Sequence, residues 1–332
     1  MLLSIIVPCF NEEPVVRDSY RRLSQVLQNL TDADYELIFV DDGSTDDTFN
    51  ILAEIQNGDR HVGVLRLSRN FGHQVAFTAG LEAAAGDAVV IIDADLQDPP
   101  ELIPEMLRLW REGNHVVYGN RISREGESRF KLITAKIFYR LINRLSETEI
   151  PVDTGDFRLM DRRVVEVLLA MPERGRFMRG MVSWVGFRQI AIPYKREPRL
   201  AGRSKYPLLK MIQFAMDGII SFSVLPLRLV TMTGFLTICL AIVGIIFAVV
   251  DRVFGLYDLR LGRGWASLYV AVLFLGGVQL LSLGMIGEYL GRIYTEVKRR
   301  PLYAVQERLG FAATRETRSA SEPARTRAKT TF

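Results

Sequence analysis

Short apolar runs alternate with amphipathic stretches over the first two thirds of the chain. Residues 2–7, 35–40, 62–67, 88–92, 116–121 and 190–194 read as strands, because each is a short, mainly apolar run set between loops or helical patterns. Between them, Val15, Tyr20, Leu23, Val26 and Leu27 recur at helical spacing after Pro14. Helices are also predicted over 49–55, 74–85, from Glu101 onward, over 129–145, from near Arg162, and over 174–185. Regular alternation of strand and helix predicts an α/β fold with a parallel, doubly wound sheet.

The last third has a different pattern. Residues 229–250 and 266–287 carry no charge, and each is long enough as a helix to cross a hydrocarbon core of about 30 Å. The linker 251–265 is short, so the two form a hairpin with both ends on one side. Lys210, Arg228, Arg292, Lys298, Arg299 and Arg300 lie near the outer ends, and Arg252, Arg260 and Arg263 lie in the linker. The positive-inside rule favours cytoplasmic outer ends. Neither run holds an ionisable residue, which argues against a substrate or ion pathway through the hairpin. Residues 208–222 are apolar with few charges and fit an interfacial helix.

The predicted organisation is a nucleotide-sugar domain over 1–206, juxtamembrane helices over 207–228, spans at 229–250 and 266–287, a cytoplasmic helix over 288–310 and a disordered tail over 311–332. The net charge of +4 in 332 residues does not argue for nucleic acid. Cys9 and Cys239 lie in unlike contexts, so reduced thiols are expected. Met1 leads straight into a strand, with no signal peptide expected.

The chemistry concentrates at strand ends. The strand 88–92 runs into Asp93-Ala94-Asp95-Leu96-Gln97, and the strand 35–40 into Asp41-Asp42-Gly43. Ligands of open α/β sheets bind at the carboxyl ends of strands. Asp93 and Asp95, with the neutral oxygen of Gln97 at the next alternate position, suit one hard divalent cation. The other reading is a solvated turn whose acids cap the next helix. Neither GxxxxGK[ST] nor GxGxxG is present in the expected place, which sets aside P-loop and dinucleotide sites.

Val7-Pro8-Cys9-Phe10-Asn11-Glu12, Val40-Asp41-Asp42-Gly43-Ser44-Thr45-Asp46 and Asp93-Ala94-Asp95-Leu96-Gln97-Asp98 resemble the motifs of family 2 glycosyltransferases in order. The resemblance runs from about residue 3 to about residue 305. It extends to the polyprenyl-phosphate glycosyltransferases, the group of dolichyl-phosphate mannose synthase, and above all to the bactoprenol glucosyltransferase branch. It implies a GT-A, Rossmann-like domain. It places Pro8, Phe10 and Glu12 in the nucleotide pocket, Val40 and Asp42 on base and ribose, and Asp93, Ala94 and Asp95 on the donor. Asp93, Asp95 and Gln97 would hold Mg²⁺ or Mn²⁺. Arg199 and Lys205 would contact the donor, and Arg121 and Lys131 the acceptor phosphate.

In that branch the segment 152–160 closes the active site, with Asp156 as the catalytic carboxylate. The other reading of Asp156 is as the cap of the helix starting near Arg162. The helix 129–145 sets Ile133, Ile137 and Leu141 beside Lys136, Arg140 and Arg144. That pattern fits an ordinary amphipathic surface helix or a basic helix on an anionic membrane. His73, in a loop position that varies within the group, carries no sugar preference.

The expected activity is inverting transfer of a hexose, first of all glucose, from a UDP-sugar to a polyprenyl (undecaprenyl) phosphate on the cytoplasmic membrane face. A homo-oligomer is left open. Mannose, N-acetylhexosamine or aminoarabinose donors remain alternatives, as does a non-enzymatic scaffold or flippase component. A processive synthase is disfavoured, because QxxRW is missing.

Overall fold

The computed structural model describes residues 1–122, 154–196, 225–254 and 265–311. The sequence-based helix at 129–145, the basic loop holding Arg199 and Lys205, the interfacial segment 208–222, and Lys131 lie outside these residues. Contacts divide the chain into two units. The first comprises Met1–Thr134, Ile150–Lys205 and Pro301–Phe332, and the second Ala135–Glu149 and Tyr206–Arg300.

The first unit runs β1 (Leu2–Cys9), α1 (Val16–Gln28), β2 (Asp34–Asp41), α2 (Thr48–Gly58), β3 (Val62–Leu67), α3 (His73–Ala83) and β4 (Ala88–Ile91). A 3-10 turn at Pro100–Leu102 leads into α4 (Ile103–Arg111) and β5 (Val116–Arg121). After β6 (Thr154–Asp161) come α5 (Arg162–Ala170), α6 (Met178–Trp184), β7 (Gln189–Tyr194) and, beyond the second unit, β8 (Val305–Leu309).

The strands form one sheet in the order β7-β5-β6-β4-β1-β2-β3-β8. It is mixed, which corrects the expectation of a parallel sheet. β1, β2, β3 and β4 are parallel, as are β5 and β7, but β6 runs antiparallel to both β4 and β5, and β8 antiparallel to β3. Apolar pattern marks a strand without its direction, so the reversal at β6 has no local signature.

Alternate residues of the central strands feed the two faces of the sheet, as the two-residue strand period requires. Leu3, Ile5, Leu37 and Phe39 pack with α1, α2 and α4; Ile6, Ile38 and Val40 pack with α3, α5 and α6. Helix α3 approaches β1 closely because position 80 is glycine: a Cβ there would lie 2.3 Å from Ile6 Cγ2.

The second unit holds α7 (Leu225–Phe254) and α8 (Trp265–Val297). Met232, Phe235, Leu236, Leu280 and Leu281 are among many large apolar side chains that these helices expose. On α7 the Thr231, Thr233 and Thr237 hydroxyls donate to the carbonyls of Leu227, Val230 and Thr233, so these polar groups are satisfied within the helix. Among the described residues no helical segment is long and apolar enough to cross a membrane. Helix α8 ends at Val297. The expected cytoplasmic helix to residue 310 is therefore corrected: Pro301 lacks a backbone N–H, and 305–309 pair with β3 instead. Cys9 and Cys239 are free thiols.

Candidate active site

The carboxyl ends of β1, β2, β4 and β5 lie at one edge of the sheet. Because β6 is antiparallel, its starting residues join them there. Ile91 pairs with Arg158, so the residues after β4 face those before Arg158. This register brings Asp93 and Asp156 to the same place, although 63 positions separate them in sequence.

The loops after β1 and β2 are tied together. Asn11 donates its N–H to Ser44 Oγ (3.0 Å), and the Thr45 N–H donates to Asn11 Oδ1 (2.8 Å). The Glu12 N–H donates to Thr48 Oγ1 (2.9 Å), and Asp46 accepts the N–H of Glu13 and of Thr48. Gly43 supplies the left-handed turn at φ +67°; a Cβ there would come within 2.4 Å of the Arg69 backbone.

Asp41 is wholly buried, accepts the Ser44 N–H (3.1 Å), and has Arg66 Nε 3.7 Å away. Asp42 accepts the backbone N–H of Phe71 (2.7 Å) and of Gly72 (2.9 Å), one on each carboxylate oxygen. Burial raises the pKa of both acids above the ordinary carboxylate value, against these hydrogen bonds.

After β4, burial alternates. Asp93, Asp95 and Gln97 are partly exposed, whereas Ala94, Leu96 and Asp98 are buried. Asp95 Oδ1 accepts the Gln97 N–H (3.1 Å), and Leu96 takes a left-handed backbone at φ +57° to make the turn. Among the described residues no three His, Cys, Asp or Glu side chains form a group that could hold a metal ion. What the turn offers is an incomplete oxygen set: two carboxylates and an amide. That donor set fits a hard divalent cation that completes its shell with water and ligand oxygens.

Asp156 is the centre of a network. Arg179 donates Nε to Oδ1 (3.0 Å) and Nη2 to Oδ2 (3.3 Å), and Gln74 Nε2 donates to Oδ2 (3.4 Å). Arg158 Nη2 lies 3.9 Å from Oδ1. His73 Nε2 stands between two acids, 3.2 Å from Asp93 Oδ1 and 3.8 Å from Asp156 Oδ2. Burial would raise the Asp156 pKa, but Arg179, then Arg158 and His73, outweigh it and hold the carboxyl well below the usual range. Asp93 is lowered in the same way, its burial outweighed by His73. The His73 pKa is raised, because Asp93 and Asp156 outweigh its burial. Burial brings Arg158 down to about 10, so it stays a cation at neutral pH. Asp156 is not a helix cap. Asp161 caps α5 instead, accepting the Arg163 N–H.

At the end of β5, Arg121 Nε donates to Tyr194 Oη (3.2 Å), and Tyr194 donates to Asp98 Oδ1. Arg121 Nη2 and Arg196 Nε each lie 3.6 Å from the same Asp98 oxygen.

The structure brings Phe10, Glu12, Asp42, Asp93, Asp95, Gln97, Arg121 and Asp156 to this edge. Val40 goes to the core, fully buried against α3, and Ala94 is buried beneath the turn. Pro8 is buried within β1, opposite Val40. Sequence reasoning missed His73, Gln74, Asp98, Arg158, Arg179, Tyr194 and Arg196. Asp98 continues the acidic turn after Gln97 and could have been suspected; the rest depend on strand order.

Comparison with known proteins relates the chain to a family by sequence. Residues 4–169 match glycosyl transferase family 2, and residues 225–293 match the GtrB C-terminal hairpin. A Bacillus subtilis (strain 168) protein named "Uncharacterized glycosyltransferase YkcC" is 49% identical over 93% of this chain and 94% of its own. The "SfII prophage-derived bactoprenol glucosyl transferase" of Shigella flexneri is 42% identical over 92% of this chain and 98% of its own. Glucosyl-3-phosphoglycerate synthase from Mycobacterium tuberculosis, crystallised with Mn²⁺, UDP-glucose and phosphoglyceric acid, aligns with 66% of this chain and 77% of its own at 24% identity and a TM-score of 0.45. The chain belongs to glycosyltransferase family 2, as a member that carries a GtrB-type C-terminal hairpin.

Proposed function

We propose that the protein transfers a hexose, glucose in the first instance, from a UDP-sugar to a polyprenyl phosphate at the cytoplasmic face of a membrane. The observation that carries this reading is the convergence of Asp93, Asp95 and Asp156 with Arg121 at one sheet edge, in a chain 42% identical to a bactoprenol glucosyl transferase.

The acceptor phosphate oxygen forms a bond to C1 of the sugar. The bond from C1 to the UDP oxygen breaks, its electron pair leaves on UDP, and the anomeric centre inverts. An alkyl phosphate has a second pKa near 6 and is largely dianionic at neutral pH, so it needs no proton removed. A carboxyl held as far down as that of Asp156 is a poor base. Asp156 therefore orients, with Arg179 fixing its two oxygens. Asp42, through Phe71 and Gly72, shapes the loop beside the nucleotide pocket. Asp93, Asp95 and Gln97 hold Mg²⁺ or Mn²⁺, which when bound offsets the negative charge growing on the departing diphosphate. Arg121 and Lys131 receive the acceptor phosphate, and Arg199 and Lys205 contact the donor.

Membrane residence rests on the two uncharged runs at 229–250 and 266–287, on the match to a hairpin family, and on the apolar side chains that α7 and α8 expose. Apolar area of this extent fits a lipid environment better than water.

A donor panel tests the reading. Full-length protein in detergent, with Mg²⁺ and undecaprenyl phosphate, is offered radiolabelled UDP-glucose, UDP-galactose, UDP-N-acetylglucosamine and GDP-mannose. Label entering the organic phase from UDP-glucose alone, and lost in Asp95→Asn, is expected. Label from another donor keeps the reaction and changes the sugar. No label and no nucleotide release from any donor overturns the proposal.

A further inference from the structure

Asp98 is completely buried, yet it makes an unusual ion pair. One oxygen, Oδ1, receives the Tyr194 hydroxyl and faces both Arg121 Nη2 and Arg196 Nε at 3.6 Å. The other, Oδ2, is buried without a hydrogen-bond partner. A carboxylate serving only as a structural clamp would be expected to use both oxygens in a paired, hydrogen-bonded fork with one guanidinium. Here two guanidiniums approach one oxygen beyond hydrogen-bond distance. A buried pair of this kind is weak evidence for stability. Two cations converge on this one oxygen, and Asp93 lies near enough to act on both Asp98 and Arg196.

The place is also specific. Arg121 and Tyr194 are register partners at the ends of the parallel strands β5 and β7, and Arg196 follows two residues on. Both cations thus stand at the ligand-binding edge. The charge of Arg196 is felt at Asp93, whose carboxyl it helps to keep ionised. Gly155 gives Arg121 room, since a Cβ there would lie 2.5 Å from Nη2.

We propose that Asp98 is a positioning residue that sets Arg121 and Arg196 side by side as a two-guanidinium fork for a phosphate monoester, the headgroup of the polyprenyl acceptor. This rests on the reading of Arg121 given under the proposed function. Asp98 touches neither substrate. It fixes two long side chains that would otherwise repel each other and spread over many rotamers, so that their planar donors meet a phosphate already aligned.

The test is steady-state kinetics of the full-length protein in detergent, with undecaprenyl phosphate and UDP-glucose varied separately. Asp98→Asn keeps the shape and removes the charge. It is expected to raise KM for the acceptor roughly tenfold, the loss of about one well-made charge-assisted hydrogen bond, with KM for the donor within about twofold. Tyr194→Phe leaves every charge in place, and it provides the same readout should Asp98→Asn fail to fold. It is expected to raise the acceptor KM by a smaller factor. Arg121→Gln and Arg196→Gln are each expected to raise it as well. If Arg121→Gln leaves the acceptor KM unchanged, the underlying reading of Arg121 fails. If Arg121→Gln raises it while Asp98→Asn and Tyr194→Phe do not, the positioning role alone is overturned. Equal changes in both KM values, with a lowered melting temperature, would show a structural role and overturn it too.

Discussion

Arg179 holds both oxygens of Asp156, with Nε 3.0 Å from Oδ1 and Nη2 3.3 Å from Oδ2. The two residues come from different elements, β6 and α6, and neither is next to the metal-type turn in sequence. Their pairing converts a buried carboxylate from a candidate base into a fixed anion. Asp156→Asn removes the anion that Arg179 grips with two hydrogen bonds and that faces Arg158, and breaking a buried ion pair from one side is costly. Turnover is expected to fall by about two orders of magnitude or more in Asp156→Asn, and far less in Asp156→Glu. Equal, near-normal rates for both variants would remove Asp156 from the mechanism.

The same pairing sets a pH dependence. The folded pKa of Asp156 is depressed, so its contribution to stability is fully present above the unfolded value of about 4. It is lost as pH falls below that value and through the folded one. Urea titrations from pH 6 down to pH 3 should show wild type losing stability below about pH 4 more steeply than Asp156→Asn. Activity follows a different group. Its acid limb should fall near pH 6, where the acceptor phosphate gains a proton, and Asp156→Glu should not move that limb. A limb that shifts with the substitution would return Asp156 to general-base duty.

Much of this fold could be read from the chain. The strands at 35–40, 62–67 and 116–121 and the helix after Arg162 stand close to where their patterns place them, because each is a short buried element with a clear boundary. The acidic strand ends were legible for the same reason. Direction and pairing were not. β6 reads as a loop in sequence because Asp156 and Arg158 interrupt its apolar residues; both are buried in the fold, Asp156 against the Arg179 guanidinium and Arg158 donating to the Gly155 carbonyl. The expected helix to residue 310 runs over β8, whose five residues become a strand only through pairing with β3. Val40 carried a role from family resemblance, but its side chain belongs to the face that packs on α3. His73 had no sequence signal at all; its place between Asp93 and Asp156 follows from where α3 begins.

Asp42 offers a sharper test of how the nucleotide pocket is built. Its two oxygens accept the N–H groups of Phe71 and Gly72, and an amide can replace only one of these acceptors. In Asp42→Asn the loop at 69–72 should exchange its amide hydrogens faster, and stability should drop by about 1–3 kcal/mol. The donor KM should rise more than the acceptor KM. Unchanged exchange at Phe71 and Gly72 would contradict the role assigned to this carboxylate.

Gly80 links packing to the site. A methyl group there would meet Ile6 Cγ2 at 2.3 Å and Val40 Cγ2 at 3.3 Å, so Gly80→Ala must push α3 away from the sheet. Overpacking of this kind costs about 1–3 kcal/mol. Because His73 and Gln74 form the first turn of α3, the shift also disturbs the Asp156 network. A lower melting temperature together with reduced turnover is expected. Wild-type values for both would show that the helix accommodates the methyl group elsewhere.

The central claim is direct displacement at C1 by an acceptor phosphate, with no covalent sugar–enzyme intermediate and no base from Asp156. The most direct measurement is the anomeric configuration of the product. Purified lipid product made from UDP-α-glucose and undecaprenyl phosphate is analysed by proton NMR for the coupling of its anomeric hydrogen. A β-linked glucosyl phosphate is the predicted result. An α-linked product would contradict single displacement and require the sugar to pass through a second inversion on the enzyme.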